Sequence, residues 1–387
     1  MSYLKIGCLY FCLVLAYVSC RKPYEPPVGT INSNLLVVEG FINTGSDSTI
    51  IKLSRTVPIA EKGTTKPELR AQLVVESESN ATYVLRELKG GTYGAAPLGL
   101  DPNQKYRLRI TTTDGSSYLS DFVESKVSPL IDSISWVAKD DGVQIYSNTH
   151  DDAKKSVYYR WEYDETWEFT AKYASLFIAE ANGLNVRNQE TQNIYRCWGN
   201  NNDGTVVLGS SEKLEKDVIY LNPIAFIPGD SEKLMAKYSV VVKQYALTKE
   251  AFDFWQTLKK NTESLGSIFD AQPSQLTGNI KNVNNPEEPV LGYISAGIVQ
   301  QKRIFIAKAE LPNWKTKYPY TCIADTVLYE NYKPNGPLDV YWEKSLGLIP
   351  IDFAINNEGK EVGYVGATPS CADCTIRGIN KRPEYWQ

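Results

Sequence analysis

Seven cysteines, one histidine and a single Cys-x-x-Cys hold most of the reactive chemistry open to this 387-residue sequence. His150, in the run Asn148-Thr149-His150-Asp151-Asp152, reads as part of a polar turn between strands. A serine or cysteine hydrolase of the usual kind would have to recruit it as base beside an oriented nucleophile. No Gly-x-Ser-x-Gly accompanies it. Zinc enzymes with two or three histidine ligands are excluded by the count alone. With Asp151 and Asp152 the histidine reads as a solvated acidic turn rather than a metal site. Paired carboxylates can work without histidine, yet nothing singles out two of the 45 acids. No phosphate-binding glycine loop, dinucleotide fingerprint or calcium loop occurs. The sequence predicts no catalytic residue, no metal and no cofactor.

The remaining chemistry is covalent. Lys5 followed by the apolar run Ile6 to Val18 reads as a signal-peptide core, too short to span a bilayer stably. It ends in Val18-Ser19-Cys20, small residues before a cysteine, which is a lipoprotein-type processing site. Removal of residues 1–19 would leave Cys20 as the N-terminus, acylated on its sulfur and amine. Buried methylenes contribute about 0.8 kcal/mol each, so two or three chains give a membrane anchor that is effectively permanent. Residues 20–29, with Pro23, Pro26 and Pro27, cannot form helix or central strand and read as a semi-rigid tether.

Once Cys8 and Cys12 leave with the leader, Cys197, Cys322, Cys371 and Cys374 remain, an even set in an oxidising location. Structural disulfides are the preferred reading. Of the three connectivities, 371–374 with 197–322 is the first choice. Thioredoxin-like chemistry at Cys371-Ala372-Asp373-Cys374 would need a helix N-terminus to lower the thiol pKa. Thr375 to Gly378 and then Pro383 argue against any helix there. A four-sulfur zinc site is the other alternative.

The scaffold that must position these groups reads as mainly β. The 25 tyrosines and 8 tryptophans, with frequent Gly, Asn and Asp turns, suit exported β-structure. A net charge of −4 with well-mixed signs offers no basic stripe for nucleic acid. Leu36 to Ile42 and Thr49 to Leu53 form a hairpin around Asn43-Thr44-Gly45-Ser46. Tyr106, Leu108 and Ile110 alternate with Arg107 and Arg109 up to an Asp114-Gly115 turn. Residues 30–127 therefore read as an immunoglobulin-like sandwich. Ser128-Pro129-Leu130 marks a boundary, and residues 128–387 form a larger β-rich domain with one prominent amphipathic helix near 249–262. Thr248 is its N-cap, and Ala251, Phe252, Trp255 and Leu258 are its apolar face. Thr166 to Leu221 reads as irregular, with Asn200 to Gly204 a loop tip, and residues from Cys371 onward form a disulfide-tied tail. Binding surface tends to be placed in such irregular insertions. The candidate partner contacts are Trp167, Phe169, Tyr195, Asn200, Asn201, Asn202 and Asp203.

Several runs, read together, are those of one family. They are Lys243-Gln244-Tyr245-Ala246-Leu247-Thr248, Ala251-Phe252-Asp253-Phe254-Trp255, Leu258 to Glu263, Gly266 to Asp270 and Gln272-Pro273. Gly278-Asn279-Ile280, Pro289 to Tyr293, Cys371 to Cys374, Gly378 and Pro383 to Trp386 complete the pattern with Val38-Glu39-Gly40. The chain resembles the Bacteroidota lipoproteins of domain-of-unknown-function family 4249 over its whole mature length. The resemblance implies an outer-membrane lipoprotein, often encoded beside a TonB-dependent receptor, and brings no catalytic residues. Arg21 and Lys22 follow Cys20 where surface-exported lipoproteins of this phylum commonly carry acids, so both faces of the outer membrane stay open. The function expected is a non-enzymatic, membrane-anchored accessory that binds or gates a peptide or glycan ligand for a TonB-dependent receptor. A structural or adhesion lipoprotein of the envelope and a carboxylate-dependent hydrolase are the alternatives.

Overall fold

The computed structural model describes residues 34–57, 66–153, 155–180, 183–202, 204–263, 276–328 and 347–386. The leader, Cys20, the tether and Asp203 lie outside them. Among the described residues no helix is long and apolar enough to cross a membrane. The chain is mainly β, as its composition predicts.

The first unit starts with β1 (Leu36–Asn43), β2 (Thr49–Arg55), β3 (Lys66–Pro67), β4 (Gln72–Ser77) and β5 (Thr82–Lys89). It continues through β6 (Thr92–Ala95), β7 (Lys105–Thr111), β8 (Ser117–Ser120) and β9 (Val123–Val127). Alternation decides which face each strand buries. Tyr106, Leu108 and Ile110 of β7 are buried. Arg107 and Arg109, on its other face, both grip Glu76 of β4 through their Nε atoms, at 2.6 and 2.5 Å. The β7–β8 hairpin turns at Gly115 as expected, with φ at 84°.

Residues 30–127 do not complete this unit. Its sheet also takes β19 (Ile280–Asn282) and β20 (Ser295–Ile298), and β20 lies parallel between β1 and β9. Because β9 also pairs with β7, the hydrogen-bonded path through β7, β4, β5, β6, β2, β1, β20 and β9 returns on itself. The physical reason is edge satisfaction: without β20, two strands would present unpaired backbone groups. Two glycines permit the insertion. A Cβ at Gly297 would lie 2.0 Å from the Lys126 carbonyl oxygen, and one at Gly292 would lie 2.1 Å from that of Val38. Ile280, Val290, Ile294 and Ala296 join Leu36, Leu53, Leu73 and Tyr106 in one core.

The second unit opens with β10 (Ile131–Ala138), β11 (Gly142–His150) and β12 (Tyr158–Thr170), the third being the tryptophan-bearing strand. β13 (Phe177–Glu180), β14 (Gly183–Val186), β15 (Arg196–Asn202), β16 (Val207–Ser210) and β17 (Val218–Pro228) follow, so half of 166–221 is strand and the segment is less irregular than expected. Next come β18 (Lys237–Ala246), helix α1 (Lys249–Glu263) and, after β19 and β20, β21 (Gln300–Ala307). A three-stranded sheet β10-β11-β17 faces a five-stranded sheet β15-β12-β18-β21, in which β16 also pairs with β12. Ile134, Val143, Ile145, Trp161, Ile227, Tyr238 and Val240 fill the space between them. Burying each such side chain contributes about 1.5–3 kcal/mol. Buried Gln244 is satisfied: its Oε1 accepts from Trp161 Nε1 at 2.9 Å, and its Nε2 donates to the Pro129 carbonyl at 2.9 Å.

A third sheet, β22 (Ala324–Leu328), β23 (Ile349–Ile355) and β24 (Glu361–Ala367), precedes a short helix α2 (Pro369–Ala372) and a single 3-10 turn at Cys374–Ile376. The cysteines pair as Cys197–Cys374 and Cys322–Cys371. The expected pairings, 371 with 374 and 197 with 322, are therefore both wrong, and so is the absence of helix there. Cys371 and Cys374 sit on successive short helical turns and reach different parts of the chain. Cys371 meets the segment before β22, and Cys374 meets β15 beneath Phe169.

Candidate functional site

Strand β12 alternates Tyr159, Trp161 and Tyr163, which enter the core, with Arg160, Glu162 and Asp164 on the opposite face. The register places Arg160 across from Tyr245, Glu162 from Lys243 and Asp164 from Val241 of β18. Helix α1 roofs one end of this face. Its first turn is capped by Thr248, whose Oγ1 accepts from the Ala251 amide at 3.3 Å. Ala251, Phe252 and Trp255 then pack with Phe41 of β1, Tyr158, Tyr245 and Leu247. The helix thus wedges between the two sandwiches, as its apolar face predicts.

What remains open beside it is a cleft of about 760 Å³. The first sandwich contributes Glu39, Phe41, Asn43 and Asp47, and the second contributes Arg160, Glu162, Lys243, Tyr245 and Gln301. The Arg160 guanidinium lies 4.6 Å from the Tyr245 ring centroid and 4.1 Å from that of Trp255. Its Nη1 pairs with Glu162 Oε1 at 3.0 Å, while its buried Nε has no partner among the described residues. The Tyr245 hydroxyl donates to Glu162 Oε2 at 2.7 Å. Burial, and then the charge of Glu162, push the Tyr245 phenol far above its ordinary range, so it stays a donor. Lys243 Nζ meets Asp164 at 2.7 Å. Phe41 stands edge-on to Tyr245 with centroids 5.0 Å apart, linking the first sandwich to this network. The arrangement offers ring surfaces and planar hydrogen-bonding groups to a ligand, with no nucleophile held against a base. Among the described residues no group of three or more His, Cys, Asp or Glu is placed to hold a metal.

Of the residues predicted for partner contact, Asp203 lies outside the described residues, and the others fall elsewhere with one exception. Phe169 is fully buried with Cys197 and Cys374, and Arg377 stacks on it at 4.7 Å. Trp167 is half-buried between two cores, with Lys233 Nζ 5.2 Å from its ring, and Tyr195 packs on the Phe169 cluster. Asn200, Asn201 and Asn202 are not a loop tip but ladder residues of β15, opposite Thr166, Glu165 and Asp164. Asn201 Nδ2 donates to Glu165 at 3.1 Å, and Asn202 alone lines the cleft. His150 is the last residue of β11 rather than a turn residue. Its Nδ1 lies 2.8 Å from Asp132, and it does not line the cleft.

Arg160, Glu162, Tyr245 and Trp255 escaped the sequence reading. A signal was present: two charges of opposite sign at alternate positions inside Tyr158 to Tyr163, a run otherwise almost wholly aromatic.

The family described as Domain of unknown function (DUF4249) matches residues 21–303. None of the curated proteins matches this chain. Two crystal structures of Salmonella alpha-2-macroglobulin, one a mutant and one reacted with methylamine, align with it at 11% and 10% identity. Each alignment covers 86% of this chain and 16% of theirs, with TM-scores of 0.19 and 0.18. The chain spans about a sixth of those structures, and a likeness this slight carries no argument.

Proposed function

We propose, from the premise that this chain belongs to the DUF4249 family, that it is a lipid-anchored envelope protein holding a ligand in the cleft between its sandwiches for a partner receptor. The observation that carries this reading is the cleft itself, which lies within the roughly 300–1,000 Å³ of ordinary ligand sites and is floored by the Arg160, Glu162, Tyr245 and Trp255 network. The anchor rests on Lys5, the apolar run and Val18-Ser19-Cys20. The outer membrane and a TonB-dependent receptor rest on the family resemblance. In this role the body does no chemistry: it concentrates or gates what the receptor takes up.

Two experiments test the reading. Affinity purification of the full chain from native outer membrane should bring down a TonB-dependent receptor, identified by mass spectrometry. Its absence after mild cross-linking would contradict the partnership. Metabolic labelling with an alkynyl fatty acid should mark the wild-type chain and not Cys20→Ala. Label retained on the variant would remove the lipoprotein anchor.

One observation favours a second reading. Glu39, Asp47 and Glu162 line the same cleft, as a carboxylate-dependent hydrolase would require. New reducing ends released from envelope glycan by the wild type and not by Glu162→Gln would establish that reading over simple capture.

A further inference from the structure

The cleft is one end of a longer feature. On the outer face of the five-stranded sheet, β12 presents Arg160, Glu162, Asp164, Thr166 and Glu168 in line. Neighbouring rows add Lys243 from β18 and Gln301 and Arg303 from β21. From Arg160 to Thr166 this strip is about 20 Å long at roughly 3.3 Å per residue. Rings close it at both ends. Trp255 and Tyr245 stand at one end, and Tyr385 stands at the other, 3.9 Å beneath the Arg303 guanidinium and bonded through its hydroxyl to Thr166 Oγ1 at 2.9 Å.

We infer that this strip takes a neutral oligosaccharide laid along the sheet face, an inference that rests on reading the cleft as a ligand site. Most charges of the strip are already paired: Arg160 with Glu162 at 3.0 Å, Lys243 with Asp164 at 2.7 Å and Glu168 with Arg196 at 3.3 Å, while the Arg303 guanidinium lies on the Tyr385 ring. At the cleft end a ligand with net charge would have to break one of these pairs and strand its other member, which is costly for a group as buried as Arg160, 8% exposed. A polyol breaks none. An ionised carboxylate has about four acceptor sites, and Glu162 uses one for Arg160 and one for Tyr245. Sugar hydroxyls supply donors to the remaining sites and acceptors to the Lys243, Asn202 and Gln301 side chains, which also line the cleft. The apolar C–H faces of the sugar rings match the aromatic ends. An extended peptide would instead seek a free strand edge with unpaired backbone groups. β12 and β18, which carry most of the strip, are each paired on both sides, so a ligand there meets a face, and only β21 at its margin is an edge.

The test is a binding array probed with the full chain in detergent, carrying neutral oligosaccharides, acidic oligosaccharides and hexapeptides. Binding is expected to the neutral set. Trp255→Ala should weaken it at least tenfold, and Gln301→Ala should weaken it several-fold; Gln301 is exposed, so that change should leave melting unaltered. Binding confined to acidic saccharides or to peptides would overturn the inference. So would no binding to any set, or neutral binding unaltered by both substitutions. The receptor purification needs no sugar, and the array needs no receptor. Loss of the receptor with sugar binding intact would reject the partnership alone, and the converse would reject the strip alone.

Discussion

The two sandwiches use the same chemistry to different ends. In the first, the sheets join into a closed hydrogen-bonded path, and the charges on its surface pair within it, Glu76 with Arg107 and Arg109 and Arg55 with Glu68 at 2.6 Å. In the second, two sheets face each other without joining, and the outer face of the larger one is roofed twice. Helix α1 covers one end, and Tyr385 and Trp386 cover the other, with Trp386 Nε1 donating to Glu168 at 3.3 Å. A closed path protects its edges. An open sheet with partial roofs leaves a cleft beside the roof. The proposed ligand site therefore falls on the second sandwich, with the first contributing one wall of the cleft.

The two units should separate most sharply when the Cys197–Cys374 disulfide of the second is removed. Cys197 and Cys374 are 177 residues apart, and in the chain-entropy model a loop of that size is worth about 5 kcal/mol. Cys374→Ala should lower the denaturant midpoint of the second sandwich and leave hydrogen exchange in β4 and β7 unchanged. Uniform loss across both units would mean that they do not unfold separately. The complementary change is Ile294→Ala, in a fully buried side chain brought to the first core from 166 residues beyond residue 128. It should cost about 2–5 kcal/mol and speed exchange in β1 and β9 before β12. Retained protection in β1 would refute the inserted strand as the closing element.

Smaller effects distinguish the surfaces by pH. Hydrogen bonding from Arg109, opposed in part by burial, and then from Arg107, holds the Glu76 carboxyl below its ordinary 4.5. Its folded-state pKa is depressed, so its contribution is present above 4.5 and is lost as pH falls through the folded value. Glu76→Gln should remove about 1–2 kcal/mol at neutral pH and flatten the acid limb of the first sandwich. His150 behaves in the opposite sense. The hydrogen bond to Asp132, then the charges of Asp132 and Asp152, raise it above 6.5. Its contribution is therefore full below 6.5 and is lost as pH rises through the folded value. Exposed as it is, it should give the smallest change, visible as a raised His150 titration by NMR that returns toward 6.5 in Asp132→Asn.

Much of this architecture is legible in the sequence. Local alternation announced β7, Asp114-Gly115 announced its hairpin, and Thr248 with Ala251 and Trp255 announced α1, because these signals are written in neighbouring residues. Long-range relations were not. Nothing in Ser295 to Ile298 says that it will lie parallel between β1 and β9, since its partners are set by tertiary edge satisfaction. Cysteine spacing could not give the pairing, because Cys371 and Cys374 are separated by a turn whose direction only packing decides. Asn200 to Asn202 looked like a loop because asparagine favours turns, and pairing with β12 overrode that propensity. The site was missed for a related reason. Arg160 and Glu162 matter through Tyr245, Trp255 and Phe41, which strand register and helix docking bring to them.

The proposal that the outer face of the five-stranded sheet meets the ligand is tested by hydrogen exchange of the full chain, with and without the neutral oligosaccharides of the array. Exchange should slow at residues 158–164 of β12, 241–245 of β18 and 249–258 of α1, with β4, β5 and β7 of the first sandwich unchanged. Slowing confined to the first sandwich, or no slowing anywhere, would contradict it.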